Sequence, residues 1–146
     1  KDDRLGFEKI CDDEMVLAVP RKHPWARRKF VSLSELRGQK FISRERGSGT
    51  MDSFRRLLRK SSHSPDRLLN IVMELGSTEA VKEAIMGGHG LSILSRVSIR
   101  HELAAGSLVE VPIRGLKMKR DFYLVYHRGR PLHPNAEAFR EFLKQS

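Results

Sequence analysis

With 146 residues, 39% of them hydrophobic and 32% charged, the chain is long enough for one ordinary domain with a real core or for two small lobes. No apolar run approaches the length of a membrane span, Lys1 to Ile10 lacks the character of a signal peptide, and Cys11 has no internal disulfide partner, so a soluble cytoplasmic protein is expected. The net charge of +10 is concentrated in one segment, because Arg21 to Lys60 holds 13 Lys and Arg against 3 Asp and Glu.

Leu5 to Ile10 alternates and is expected to pair as a strand with Met15 to Val19, a continuous apolar run closed by Pro20 that reads as buried. His23-Pro24-Trp25 predicts a turn, since the residue before a proline is pushed out of the helical region, and Trp25 is expected against the core. Ser34 is expected to cap a short helical turn ending near Gly38. Lys40 to Ser43 reads as a strand, and a helix from about Met51 places Met51, Phe54, Leu57 and Leu58 inward before the polar break Ser61 to Pro65.

Asn70 to Leu75 reads as a third buried strand, followed by a helix whose apolar face is Ala80, Val81, Ala84 and Ile85 and whose end is Gly87-Gly88. Leu91 to Leu94 is the next strand; Ser95 is expected to cap a helix running through Ala105, and Leu108 to Ile113 is extended. Asp121 to His127 is another strand, and Pro134 opens a last helix with Ala136, Phe139, Phe142 and Leu143 inward. Strands alternating with helices at these spacings predict an α/β fold with a largely parallel sheet.

Two strand ends carry one chemistry. The strand ending at Ser43 delivers Arg44-Glu45-Arg46-Gly47-Ser48-Gly49-Thr50 to a helix, and the strand ending at Leu75 delivers Gly76-Ser77-Thr78 to the next. Such turns aim backbone N–H groups outward, and the positive end of each helix dipole favours a small anion. Ser48 or Thr50 can equally serve as a plain helix cap. The Gly-x-x-x-x-Gly-Lys spacing of nucleotide hydrolases is missing. In open α/β sheets ligands sit outside the carboxyl ends of strands, where both turns lie.

The segment Arg44 to Thr50, together with Gly76-Ser77-Thr78-Glu79-Ala80-Val81-Lys82-Glu83-Ala84-Ile85 and Met86-Gly87-Gly88-His89-Gly90-Leu91-Ser92-Ile93-Leu94-Ser95, resembles the effector-binding domain of LysR-type transcriptional regulators. His23-Pro24-Trp25-Ala26, Leu33-Ser34-Glu35-Leu36-Arg37-Gly38, Glu102 to Leu108 and Pro134 to Phe139 fall in that family's order, so the resemblance runs from about Glu14 to Leu143. The subgroup containing regulators of carbon fixation and sulfur assimilation is most similar. The resemblance implies a type II periplasmic-binding-protein-like α/β fold, with one complete lobe at residues 21–113 plus the returning part of a second lobe at residues 1–20 and 114–146, joined by crossing hinge strands. It also implies a small anionic effector, no cofactor, and self-association as a dimer or tetramer. DNA reading would belong to an amino-terminal winged helix-turn-helix absent from these residues, so the chain reads as a fragment of a longer regulator. By position in the family's pattern, Ser43, Arg46, Gly47, Ser48, Gly49, Thr50, Gly76, Ser77 and Thr78 would line the effector cleft, with Arg44 or Arg46 adding charge-assisted bonds.

Other functions fit less well. The six histidines, at 23, 63, 89, 101, 127 and 133, show no metal-ligand spacing and none forms a nucleophile motif with Cys11, so no metal and no enzyme activity are expected. A free-standing solute-binding protein of the same fold is the alternative. A basic module contacting nucleic acid through Arg21 to Lys60 is a further one, although no zinc finger, helix-turn-helix or aromatic platform is present.

Overall fold

In the computed structural model, which describes residues 3–144, Leu5 to Pro20 form one strand, β1, instead of two segments that pair with each other. The intervening polar residues stay extended because their side chains find partners. Lys9 reaches Asp12 at 2.5 Å and Asp121 at 2.8 Å, and the buried Asp13 is held by Arg120 at 2.6 and 2.7 Å.

The second half of β1 is apolar without interruption because both its faces are covered. Met15, Leu17 and Val19 point into one apolar cluster, Val16 and Ala18 into another. β1 lies between β4 (Ser92–Ser95) and β5 (Leu108–Val111) and is antiparallel to both, with Leu17 opposite Ile93 on one side and Val111 on the other. β2 (Lys40–Arg44) and β3 (Asn70–Leu75) form a parallel pair. The Ile42 N–H donates to the Leu91 carbonyl at 2.8 Å and the Leu91 N–H to the Lys40 carbonyl at 3.0 Å, which joins the strands in the order β3-β2-β4-β1-β5. The sheet is therefore mixed and not largely parallel, since β1 runs against its neighbours. Gly90 permits the close approach of β2 to the start of β4: a Cβ there would lie 2.6 Å from the Lys40 carbonyl oxygen.

On the Phe41 side of this sheet, α1 (Gly49–Lys60) buries Met51, Phe54 and Leu58, and the Phe41 and Phe54 rings stack at 6.3 Å. Trp25 joins them from a 3-10 turn at Pro24–Arg27, and Leu36 from another at Leu33–Gly38. The cap of that second turn is Ser32 and not Ser34: the Glu35 carboxylate reaches back to the Ser32 N–H at 2.7 Å. A short helix, α2 (Pro65–Leu68), adds Leu68.

On the opposite side, α3 (Thr78–Met86) packs Val81, Ala84 and Ile85 against Val16, Ala18, Ile42 and Leu94. Ser95 does not cap a long helix; its carbonyl accepts from the Ser98 hydroxyl, and a 3-10 turn at Val97–Ile99 precedes the six-residue α4 (Arg100–Ala105). β3 differs from expectation as well. It is an edge strand with β2 as its neighbour, so Ile71 and Val72 are 41% and 46% exposed instead of buried.

The chain divides into two compact units, Glu14–Met118 and the residues up to Asp13 together with those from Lys119. Positions 20/21 and 113/114, where the sequence suggests a division, lie inside the first unit: β5 pairs with β1 out to Pro20, and the Met15 N–H donates to the Met118 carbonyl at 2.8 Å. In the second unit β6 (Lys119–His127) pairs with β1, and α5 (Pro134–Lys144) is oriented by Arg140, which binds Glu8 and lies over the Tyr126 ring. That rotation leaves Arg140 and Leu143 half-buried and turns Ala136, Phe139 and Phe142 outward, contrary to the inward face expected. Lys1, Asp2, Gln145 and Ser146 lie outside the described residues.

Candidate functional site

The register of the parallel pair sets the candidate site. Arg44 stands opposite Leu75, so the chain leaves β2 and β3 at the same edge of the sheet and two helix-starting turns lie side by side. The Glu45 N–H extends the ladder by donating to the Leu75 carbonyl at 3.1 Å.

The first corner is a four-residue turn, Glu45-Arg46-Gly47-Ser48, closed by the Ser48 N–H on the Glu45 carbonyl at 3.2 Å. Gly47 has φ +90°, the conformation that a type II turn requires at its third residue. Ser48 is the N-cap of α1, yet its hydroxyl makes no capping hydrogen bond. The first-turn N–H groups of a twelve-residue helix are thus left without a side-chain acceptor from their cap, at the positive end of its dipole. Arg46, Gly47 and Gly49 are exposed, Ser48 and Thr50 half-buried. Arg46, two residues before that N-cap, is exposed and has no ion-pair partner among the described residues.

The second corner is closed differently. The Ser77 hydroxyl accepts from the Ala80 N–H at 3.1 Å, an ordinary helix cap, and Glu79 in the first turn of α3 is paired with Lys82. The Thr78 hydroxyl oxygen accepts from Arg44 at 2.8 Å, and Arg44 also donates to the Gly76 carbonyl at 3.2 Å and grips both oxygens of Glu45 at 2.6 and 3.3 Å. Arg44 therefore ties the two corners together and holds the Glu45 carboxyl below its ordinary pKa. Of Arg44 and Arg46, either of which the resemblance offered for charge-assisted bonds, Arg44 has its donors engaged within the protein.

Of the nine residues anticipated, the structure groups Arg46, Gly47, Ser48, Gly49 and Thr50 at the start of α1, with Gly76, Ser77 and Thr78 alongside across the Arg44 bracket. Ser43 stands apart. It is fully buried beneath the edge, and its hydroxyl donates to the Arg44 carbonyl at 2.8 Å. Among the described residues, no three His, Cys, Asp or Glu side chains gather in a metal-binding arrangement, and no helix is long and apolar enough to cross a membrane.

Fold and site define a class: an α/β ligand-binding domain of the type II periplasmic-binding-protein kind, with helix N-termini at one sheet edge. The chain belongs to the LysR substrate binding domain family, whose pattern matches residues 1–146. It is 38% identical over 136 residues to the RuBisCO operon transcriptional regulator of Acidithiobacillus ferrooxidans, covering 93% of this chain and 43% of that protein. Among solved structures, the CcmR regulatory domain of Synechocystis PCC6803 in complex with 2-PG superimposes with a TM-score of 0.86 at 30% identity, covering 99% of this chain and 68% of that one. The effector-binding domain of QuiR in complex with shikimate shares the fold, with a TM-score of 0.80 at 20% identity, over 99% of this chain and 66% of that one. The chain spans a little under half the length of the curated relative it matches. The relatives bear out the resemblance to the carbon-fixation subgroup of regulators, and the free-standing solute-binding alternative finds no support among them.

Proposed function

We propose that this domain senses a small anionic metabolite, seated at the start of α1, for a longer regulator of DNA-dependent transcription. The observation that carries the reading is the contrast between the two corners. Ser77 caps its own helix, whereas the Ser48 hydroxyl and the N–H groups of α1 stay open, with the exposed Arg46 two residues before that cap. Backbone N–H donors, two hydroxyls and a guanidinium suit a carboxylate or phosphate. The complex of the similar CcmR domain with 2-PG, 2-phosphoglycolate, supports a ligand that carries both groups.

In this reading the regulator works in the cytoplasm, self-associates as a dimer or tetramer, and reads its operator through a winged helix-turn-helix outside these residues. Occupancy is passed on by closure of two lobes, the one that carries the site being built around residues 21–113 within the compact unit Glu14–Met118. The domain carries no catalytic role.

Thermal unfolding with 2-phosphoglycolate, inorganic phosphate and succinate tests the site. A ligand that binds only the folded chain stabilises it by about 2.7 kcal/mol at a hundredfold excess over Kd, and the midpoint rises with concentration accordingly. Ser48→Ala and Thr50→Ala should each weaken binding about tenfold, the loss of one charge-assisted hydrogen bond. Arg46→Gln should weaken it at least as much. Equal shifts in all variants and the parent, or no shift with any anion, would remove the site from α1.

A further inference from the structure

The two sides of the β3-β2-β4-β1-β5 sheet carry different charge. The segment that covers the Phe41 side, residues 21–69, contains 14 Lys and Arg against 4 Asp and Glu, whereas residues 78–105, which cover the other side, contain 3 of each. Within the basic segment residues 21–29 hold five cations, and α1 holds four together with one acid, Asp52. Arg55, Arg56, Arg59 and Lys60 occupy an arc of about 140° at helical spacing, turned away from the buried Met51, Phe54 and Leu58. Arg56, Arg59 and Lys60 are exposed and Arg55 is half-buried. α2 packs against α1 and against the turn at Leu33–Gly38, and the exposed Arg37 and Arg67 line one shallow groove with Asp66, Leu69, Asn70 and Ile71.

Among the described residues these six cations have no ion-pair partner, unlike many of the chain's others. Arg28, Arg44, Lys82, Arg96, Arg120 and Arg140 all hold carboxylates. Arg56 donates to the Ser53 hydroxyl. These six cations outnumber the two carboxylates among them, Asp52 on α1 and Asp66 in the groove, and a polyanion relieves the repulsion that remains.

We propose that this surface docks the phosphate backbone of double-stranded nucleic acid, at a place separate from the effector corner. α1, α2 and the Leu33–Gly38 turn expose no Phe, Tyr or Trp on which unpaired bases could stack, so the surface suits a duplex and not a single strand. Nor do they expose a large aliphatic side chain, and Ile71 of β3, 41% exposed in the groove lining, is a single such residue against six cations. Five of the six cations are arginines, whose planar forks match phosphate oxygens. Base edges are not read, because these contacts follow the backbone.

Fluorescence anisotropy of the 146-residue chain with a labelled duplex of arbitrary sequence, titrated from 25 to 200 mM salt, tests the surface. The comparison sets R55Q/R56Q/R59Q/K60Q against K117Q/K119Q/R128Q/R130Q, which removes the same charge from exposed residues elsewhere. Circular dichroism melts confirm that both variants fold. The α1 variant should lose tenfold or more in affinity, and its log–log salt slope should become shallower by about 3 to 4, at roughly 0.9 per phosphate contact. The control should stay within about twofold of the parent with the slope nearly unchanged. Absence of duplex binding by the parent at the lowest salt, or equal losses in both variants, would overturn the proposal. Tighter binding of polyglutamate than of duplex would assign the surface to an acidic protein instead and overturn it too.

Discussion

The two sides of the sheet in residues 14–118 are built from one alternating pattern but finished in opposite ways. The α1 side is filled by large side chains, with Trp25, Phe41, Phe54, Leu36 and Leu58 in contact, and it is strongly basic outside. The α3 side is filled by Val16, Ala18, Val81, Ala84 and Ile85, is neutral outside, and takes a lysine inward. Lys82 is 8% exposed and sits between Glu79 and Glu102, both at 2.8 Å. The difference separates two tasks. Aromatic bulk on one side anchors the fold, and an aliphatic layer on the other, with Ile42 and Leu94 in it, seats α3, whose Thr78 meets Arg44.

The sharpest way to break this comparison is to empty the larger side. Phe54→Ala should cost about 3–5 kcal/mol in urea unfolding, whereas Ile85→Ala on the α3 side should cost about 2–3 kcal/mol. Equal losses would mean that the two sides contribute alike. A smaller effect concerns the inward lysine. The Glu102 interaction, followed by that with Glu79, raises the Lys82 pKa, and Lys82 in turn holds the Glu102 carboxyl below its ordinary value. A double-mutant cycle of Lys82→Met and Glu102→Gln should give a coupling of about 1 kcal/mol, and independent losses would show that the two residues do not act as a pair.

The smallest effect tests the α1 side in acid. Hydrogen bonds from Arg28 first, and from Ser32 next, bring the Glu35 carboxyl down to about 2 from an ordinary 4.5. A carboxyl depressed in the folded state contributes stability above its unfolded value and loses it as pH falls. Glu35→Gln should therefore flatten the decline of unfolding midpoints between pH 4.5 and about 2 while lowering stability slightly at neutral pH. An unchanged slope would show that Arg28 and Glu35 do not pair in solution.

Much of this architecture was legible in short segments. Met15 to Val19, the turn before Trp25, the start of α3 and the helix end at Ala105 all rest on local periodicity, capping and glycine conformation, and they stand as read. What sequence missed depended on partners far along the chain. Leu5 to Ile10 and Met15 to Val19 read as two strands because the cations that hold Asp12 and Asp13 between them, Lys9 and Arg120, include one that lies 107 residues away. Val72 looked buried because an apolar run does not say whether its strand has one neighbour or two. Phe139 and Phe142 looked inward because the helical period gives a face, while its direction is set by Arg140 on Glu8. Ser32 was missed although its Ser-x-x-Glu spacing to Glu35 was present in the sequence. The candidate site divided in the same manner. Its turns were readable, but the engagement of Arg44 with Thr78 and Gly76 was not, since it arises only once β2 and β3 lie in register.

The hydrogen bond between Met15 and Met118 has a practical consequence for engineering. Because residues 14–118 start and finish at neighbouring points, a short glycine-serine linker can join those ends and new termini can be opened in the polar Ser61 to Ser64 connection. Such a circular permutant keeps every strand of the five-stranded sheet intact from residue 14 onward and makes the sensing half portable, ready to be grafted between the halves of a reporter protein.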